Sequence, residues 1–219
     1  MRKRPSSPLG VRLNVVFGLL AVAAMAGYGL YAWQAKWRVA QARQYERESL
    51  VNAGNGDATT VGGSFTLVNH DGKTVTQKDF AGKYLLVTFG FTYCPDVCPT
   101  KLQDMSLTLD ELGSDAQWVQ PVFISVDPQR DTPEQMKGYV SLYHNSIIGL
   151  TGTPEQIAAT AKTFKVYYKR GEDVGDGNYM MDHSTAIYLL GQDSKVLDVF
   201  AEGTTPEAMA TAIKTYLHK

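Results

Sequence analysis

Tyr84-Leu-Leu-Val-Thr-Phe-Gly90-Phe-Thr-Tyr-Cys94-Pro-Asp-Val-Cys98-Pro-Thr100 joins a nearly unbroken apolar run to two cysteines and a helix start. Tyr84 to Gly90 has strand length and little alternation, as in a strand covered on both faces. Pro99 opens a helix whose Leu102, Met105, Leu109 and Leu112 recur at helical spacing. Cys94 and Cys98 are the only two cysteines among 219 residues, so both thiols fall at one strand-to-helix turn. Partial positive charge at a helix start favours thiolate. Such a pair can close reversibly into a disulfide or bind a soft metal. A purely structural bridge is a poorer account, because a short loop gains little from closure.

Outward from this turn, strand and helix signals alternate. Phe65 to Val68 and Thr74 to Thr76 flank His70-Asp-Gly-Lys73, an Asp-Gly hairpin signal. Val119 to Val126 reads as the next strand and ends at Asp127-Pro-Gln-Arg-Asp131. Three helices start alike, at Thr132-Pro-Glu-Gln, Thr153-Pro-Glu-Gln and Thr205-Pro-Glu. Thr is the N-cap and Pro the first helical residue, and in the first two Gln closes a capping box. Gly171 to Asn178 has loop composition and is expected to close on His183 when metal binds. Strands at about Thr185–Leu190 and Val196–Phe200 flank Gln192-Asp-Ser-Lys195 as a terminal hairpin. The order matches a thioredoxin-like α/β fold, whose chemistry sits beyond the carboxyl ends of central strands.

The N-terminus carries Arg2, Lys3, Arg4 and Arg12 ahead of an apolar run over 13–33. That run just meets the roughly 20 residues a transmembrane helix needs. Trp33 and Trp37 stand at its far end, where interfacial aromatics are favoured. Ala24-Met-Ala26 would suit a signal peptidase, but Gly27 to Trp33 stays apolar beyond it, which favours an uncleaved anchor. The expected organisation is a cytoplasmic stretch at 1–12, an anchor at 13–33, a stem and linker at 34–61 and one domain at 62–219. The basic N-terminus sets the domain outside the cytoplasm. With no Arg- and Ser-rich leader ahead of the run, a single-pass protein of a bacterial inner membrane facing the periplasm is expected. The first 50 residues hold eight of the 21 Lys and Arg but two of the 22 Asp and Glu, so the domain is acidic. That balance argues against a nucleic-acid partner.

Four histidines could add to the cysteine pair. His70, His144 and His218 lie in a turn, at a helix end and beside the C-terminus, and read as solvated polar residues. His183, in Met180-Met-Asp-His-Ser-Thr185, lies in the segment that faces the cysteine turn in a thioredoxin-like fold. Thioredoxins carry a cis-proline there, yet no proline occurs between Pro154 and Pro206. From spacing alone, a metal ligand and a satisfied polar histidine fit His183 equally. Met180 and Met181 could be thioether ligands, although core packing is the commoner use. Asp96 could tune thiolate charge or serve the helix start.

Four segments in order carry a resemblance: Gly90 to Thr100, Ser125-Val-Asp-Pro-Gln-Arg-Asp-Thr-Pro-Glu134, Lys165-Val-Tyr-Tyr168 and Asp182-His-Ser-Thr185. They resemble the hallmark segments of the Sco/SenC family, with a match from about Gly62 to His218. The resemblance implies a thioredoxin-like copper chaperone that helps assemble the binuclear copper centre of cytochrome c oxidase. It implies copper, as Cu(I) or Cu(II), on Cys94, Cys98 and His183. The implied partners are the copper-bearing oxidase subunit and other copper chaperones or thiol reductases. The resemblance implies a carrier rather than an enzyme, with thiol–disulfide oxidoreductase activity left open. The competing reading is a membrane-tethered thiol–disulfide reductase, which needs Cys94 and Cys98 but not His183. A thiol peroxidase would want one activated cysteine and fits the pair less well.

Overall fold

The computed structural model describes residues 61–218 apart from 174, 176 and 177. The expected anchor and stem lie outside the described residues. Among the described residues no helix is long and apolar enough to cross a membrane.

The chain runs β1 (Thr66–Asn69), β2 (Thr74–Thr76), β3 (Tyr84–Gly90), α1 (Val97–Leu112), β4 (Val119–Ser125), α2 (Pro133–Val140) and β5 (Ile148–Thr151). It continues through α3 (Pro154–Phe164), β6 (Tyr168–Asp173), β7 (Tyr179–His183), β8 (Ile187–Leu190), β9 (Val196–Phe200) and α4 (Pro206–Leu217). Seven strands form one mixed sheet in the order β2-β1-β5-β4-β3-β8-β9, and β6 and β7 form a separate ribbon. Strands β3, β4 and β5 are parallel, while β1 and β8 flank them antiparallel.

Strand β3 sits inside the sheet because its side chains leave it no solvent-facing side: Leu85 to Gly90 are all buried. Each fully buried Leu, Val or Phe contributes about 1.5–3 kcal/mol, so β3 is a firm platform for the cysteine turn at its carboxyl end. Helix α1 packs Leu102, Met105, Leu109 and Leu112 inward, the positions its spacing marks. It begins at Val97, two residues before the expected Pro99, so Cys98 lies inside its first turn rather than ahead of it.

The Thr-Pro device starts α2, α3 and α4 as expected, with Thr132, Thr153 and Thr205 as N-caps. Gln156 closes a capping box at α3, but Gln135 at α2 does not. Its amide instead donates to Thr92 Oγ1 at 3.2 Å, so tertiary contact displaces the local cap and ties α2 to the cysteine turn.

Two expectations around His183 change. Gly171–Asp173 are strand, continuing β6, and β7 starts at Tyr179, so the expected loop is shortened at its front by pairing. His183 ends β7, and β8 starts at Ile187 rather than Thr185. The polar composition of these residues hid the pairing, because β6 buries no side chain fully. Strand β5 also carries no clear signal in its residues, with Gly149 in a short stretch over Ile148–Thr151.

Candidate metal centre

Cys94 lies in the tight turn that leaves β3, closed by Cys94 N–H donating to Phe91 O at 3.2 Å. Asp96 occupies the N-cap position of α1 but makes no side-chain cap bond. The amide of Cys98, which an N-cap oxygen would ordinarily satisfy, points to Cys94 Sγ at 3.5 Å. The sulfur therefore takes the anion position of a helix start, and Asp96 is left exposed beside it. Cys98 is buried, and only a residue without Cβ fits behind it. A Cβ built on Gly90 would lie 2.4 Å from Cys98 Sγ and 2.8 Å from Phe123 Cε2.

His183 enters from β7, 85 residues further along the chain, with Nε2 3.5 Å from Cys98 Sγ. Its Nδ1 lies 2.9 Å from Ser184 O, and a carbonyl can only accept, so Nδ1 carries the proton. That contact turns the lone pair of Nε2 toward the sulfurs, as ligand histidines require. Phe91 meets the imidazole edge-to-face, with centroids 5.8 Å apart. The donor atoms of Cys94, Cys98 and His183 all lie within 4.8 Å of one another. Neither cysteine is in a disulfide.

The charges in this cluster are unequal. A hydrogen bond from the Cys98 thiol brings Cys94 down to about 3, against the resistance of partial burial and with help from His183 and the Cys98 amide. Cys98 is pushed up by that same hydrogen bond and by its burial. The pair thus shares one proton, held by Cys98, with the negative charge on the more exposed Cys94. Burial opposes protonation of His183, but contact with the Cys94 thiolate and the Ser184 carbonyl outweighs it and raises the pKa.

The three candidate ligands named from the sequence are the three that the fold gathers. His70, His144 and His218 are elsewhere, hydrogen-bonded to Gly149, Ser146 and Asp115. Met181 is packed in the core and Met180 is exposed on the other face of β7, as strand alternation requires.

The segment Ser125 to Glu134 contains support residues that the sequence reading passed over. Asp131 is fully buried; it accepts from Thr92 Oγ1 at 2.7 Å and Ser125 Oγ at 2.5 Å, which pins the cysteine turn to the end of β4. Burial raises its pKa, although those hydrogen bonds favour the carboxylate. Asp127, also buried, accepts from Tyr179 and Arg130. Two carboxylates directly after an apolar strand were a readable sign of buried hydrogen-bonding.

Known proteins resemble this chain over most of its length. A sequence model described as SCO1/SenC matches residues 53–218. Human "Protein SCO1 homolog, mitochondrial" is 36% identical over 216 residues, covering 98% of this chain and 69% of that protein. The structure of Bradyrhizobium japonicum ScoI with copper bound is 44% identical, with a TM-score of 0.67 over 71% of this chain and 99% of that one. BsSco, described by its disulfide switch and as a member of the Sco family of cytochrome c oxidase assembly proteins, is 31% identical. Its TM-score is 0.57 over 70% of this chain and 91% of that one.

Proposed function

The chain belongs to the SCO1/SenC family, and from that premise we propose that it carries one copper ion on Cys94, Cys98 and His183 for cytochrome c oxidase assembly. The observation that carries this reading is the convergence of two sulfurs and one imidazole nitrogen within 4.8 Å. Thiolate with imidazole suits Cu(I), which prefers soft donors and accepts low coordination numbers. Zinc would normally complete a tetrahedron. Three donors, one of them on the half-exposed Cys94, leave a bound ion approachable by a recipient that supplies its own ligands. The copper-bound state of the Bradyrhizobium relative and the assembly role ascribed to BsSco support the same reading. In this proposal residues 13–33 tether the carrier to a membrane, with the domain outside the cytoplasm.

A Cu(I) titration of the reduced chain against a calibrated chelator tests the site. The parent is expected to take one tight equivalent. His183→Ala is expected to weaken it by about 10–100-fold, at or above the usual cost of disturbing a ligand's support. Equal and weak binding by both would overturn the copper reading.

Proton release gives a second check. Cu(I) must displace the proton on Cys98 at any ordinary pH, and below the raised pKa of His183 it must also displace one from Nε2. The protons released per copper should be about two near pH 5.5, below the ordinary histidine value, and fall to about one above the raised pKa, so affinity should fall as pH falls. Calorimetry in buffers of different ionisation heat reads this number, and a flat count would contradict the assignment.

The charge distribution also favours a second activity. A half-exposed Cys94 thiolate beside a buried Cys98 thiol suits thiol–disulfide exchange. Cys94 would attack a partner disulfide and release one partner thiolate. Cys98, after losing its proton, would then resolve the mixed disulfide, so that the pair is oxidised and the partner gains two electrons. His183→Ala separates the two activities, because exchange does not need the imidazole.

A further inference from the structure

The ribbon that delivers His183 is not part of the main sheet: among the described residues β6 and β7 pair only with each other. A lone two-stranded ribbon is marginal in water, so packing elsewhere must fix its orientation. Tyr179, Met181 and His183 alternate onto one face of β7, with Tyr179 and Met181 buried. What holds Tyr179 is therefore what aims that face.

Three contacts converge on Tyr179. Its hydroxyl donates to Asp127 Oδ1 at 2.6 Å. The Arg130 guanidinium lies 3.6 Å from its ring centroid and that of Arg170 3.8 Å. Two guanidinium groups so close to one centroid must stack on opposite faces. Arg130 is itself fixed by Nε donating to Asp127, and its Nη2 has no hydrogen-bond partner among the described residues. Stacking rather than a filled donor set thus orients the guanidinium, a task a lysine ammonium does poorly.

Arg130 also reaches the other half of the site. Its guanidinium lies 4.8 Å from the ring of Tyr93, the residue before Cys94, and 5.7 Å from that of Phe91, which packs on the His183 imidazole. One side chain thus touches both the turn that holds the cysteines and the ribbon that holds the histidine.

We infer that Asp127, Arg130 and Tyr179 form a positioning unit that sets His183 against the Cys94–Cys98 pair. The inference rests on the copper reading for its ligand, but the unit acts on the ribbon whether or not metal is present. Loss of the unit should free the histidine while leaving both cysteines in place. A structural element that merely adds stability would not separate the donors in this way.

Tyr179→Leu, Tyr179→Phe and Arg130→Lys test it on the full chain by two readouts. Amide hydrogen exchange over residues 179–184, without copper, reports the ribbon. Nitrogen coupling in the electron paramagnetic resonance of the Cu(II) form, together with its thiolate charge-transfer band, reports the donors separately. Tyr179→Leu and Arg130→Lys are expected to speed exchange in the ribbon and to lose most of the nitrogen coupling while keeping the thiolate band. Copper dissociation should quicken by about 10-fold or more, in line with the removal of ligand support. Tyr179→Phe, which keeps the stacked ring, should retain much of the coupling.

Parent-like exchange and coupling in all three variants would overturn the inference. Faster exchange with unchanged coupling would also overturn it, because the ribbon would then be held for stability alone. A parent without a copper signal would instead sink the copper reading. Exchange in the ribbon would then decide whether the unit aims it. Circular dichroism and a thermal melt establish that each variant is folded.

Discussion

Cys98→Ser is expected to lower Cu(I) affinity by more than about 100-fold, above the range seen when only a ligand's supporting contacts are removed. The substitution keeps a small side chain with a hydrogen-bond donor at a buried position, so the fold should persist. What it removes is the second soft donor. An alcohol in that setting will not ionise for the metal, whereas the Cys98 thiol can give up its proton when copper arrives. Cys94 and His183 would be left as a two-donor site. Competition against a chelator measures the loss, and a variant within about 10-fold of the parent would show that Cys98 is not a ligand.

Gly90→Ala is expected to damage both fold and site. The added methyl would sit 2.4 Å from Cys98 Sγ and 2.8 Å from Phe123 Cε2. Neither neighbour can yield easily: Phe123 is fully buried, and moving the sulfur means turning Cys98 away from His183. Overpacking of this kind costs about 1–3 kcal/mol, which lowers Tm by about 2–12 °C in a domain of this size. Copper affinity should drop with it, because one of the three donors leaves its place. Thermal melting and the same chelator competition read the two effects. A variant with the parent's Tm and affinity would mean that the sulfur has room the close packing denies it.

These two sites differ in how they could be found. Cys98 announces itself, since two cysteines at one strand-to-helix turn leave few alternatives. Gly90 looks like an ordinary strand end in the sequence, and its backbone needs no special dihedral. Its requirement comes from the sulfur that α1 lays against it, a contact between elements rather than along the chain. The same contrast runs through α2 and α3. Thr132-Pro-Glu-Gln and Thr153-Pro-Glu-Gln are the same local signal, yet only Gln156 closes its box, because Gln135 has Thr92 within reach.

Short-range rules were enough to place β3, the inward face of α1 and the three Thr-Pro helix starts, and to name all three donors as candidates. Those rules are burial on both faces, helical spacing, fixed φ at proline and the chemistry of thiols. Four ordered motifs added the family and, with it, the implication that His183 is a ligand. The folded chain was needed for the β6–β7 ribbon, the split of charge between Cys94 and Cys98, the proton on His183 Nδ1 and the Asp127–Arg130–Tyr179 unit. Most of these depend on groups far apart in the chain meeting in a space that excludes water. Their partners, distances and burial exist only once the chain has folded.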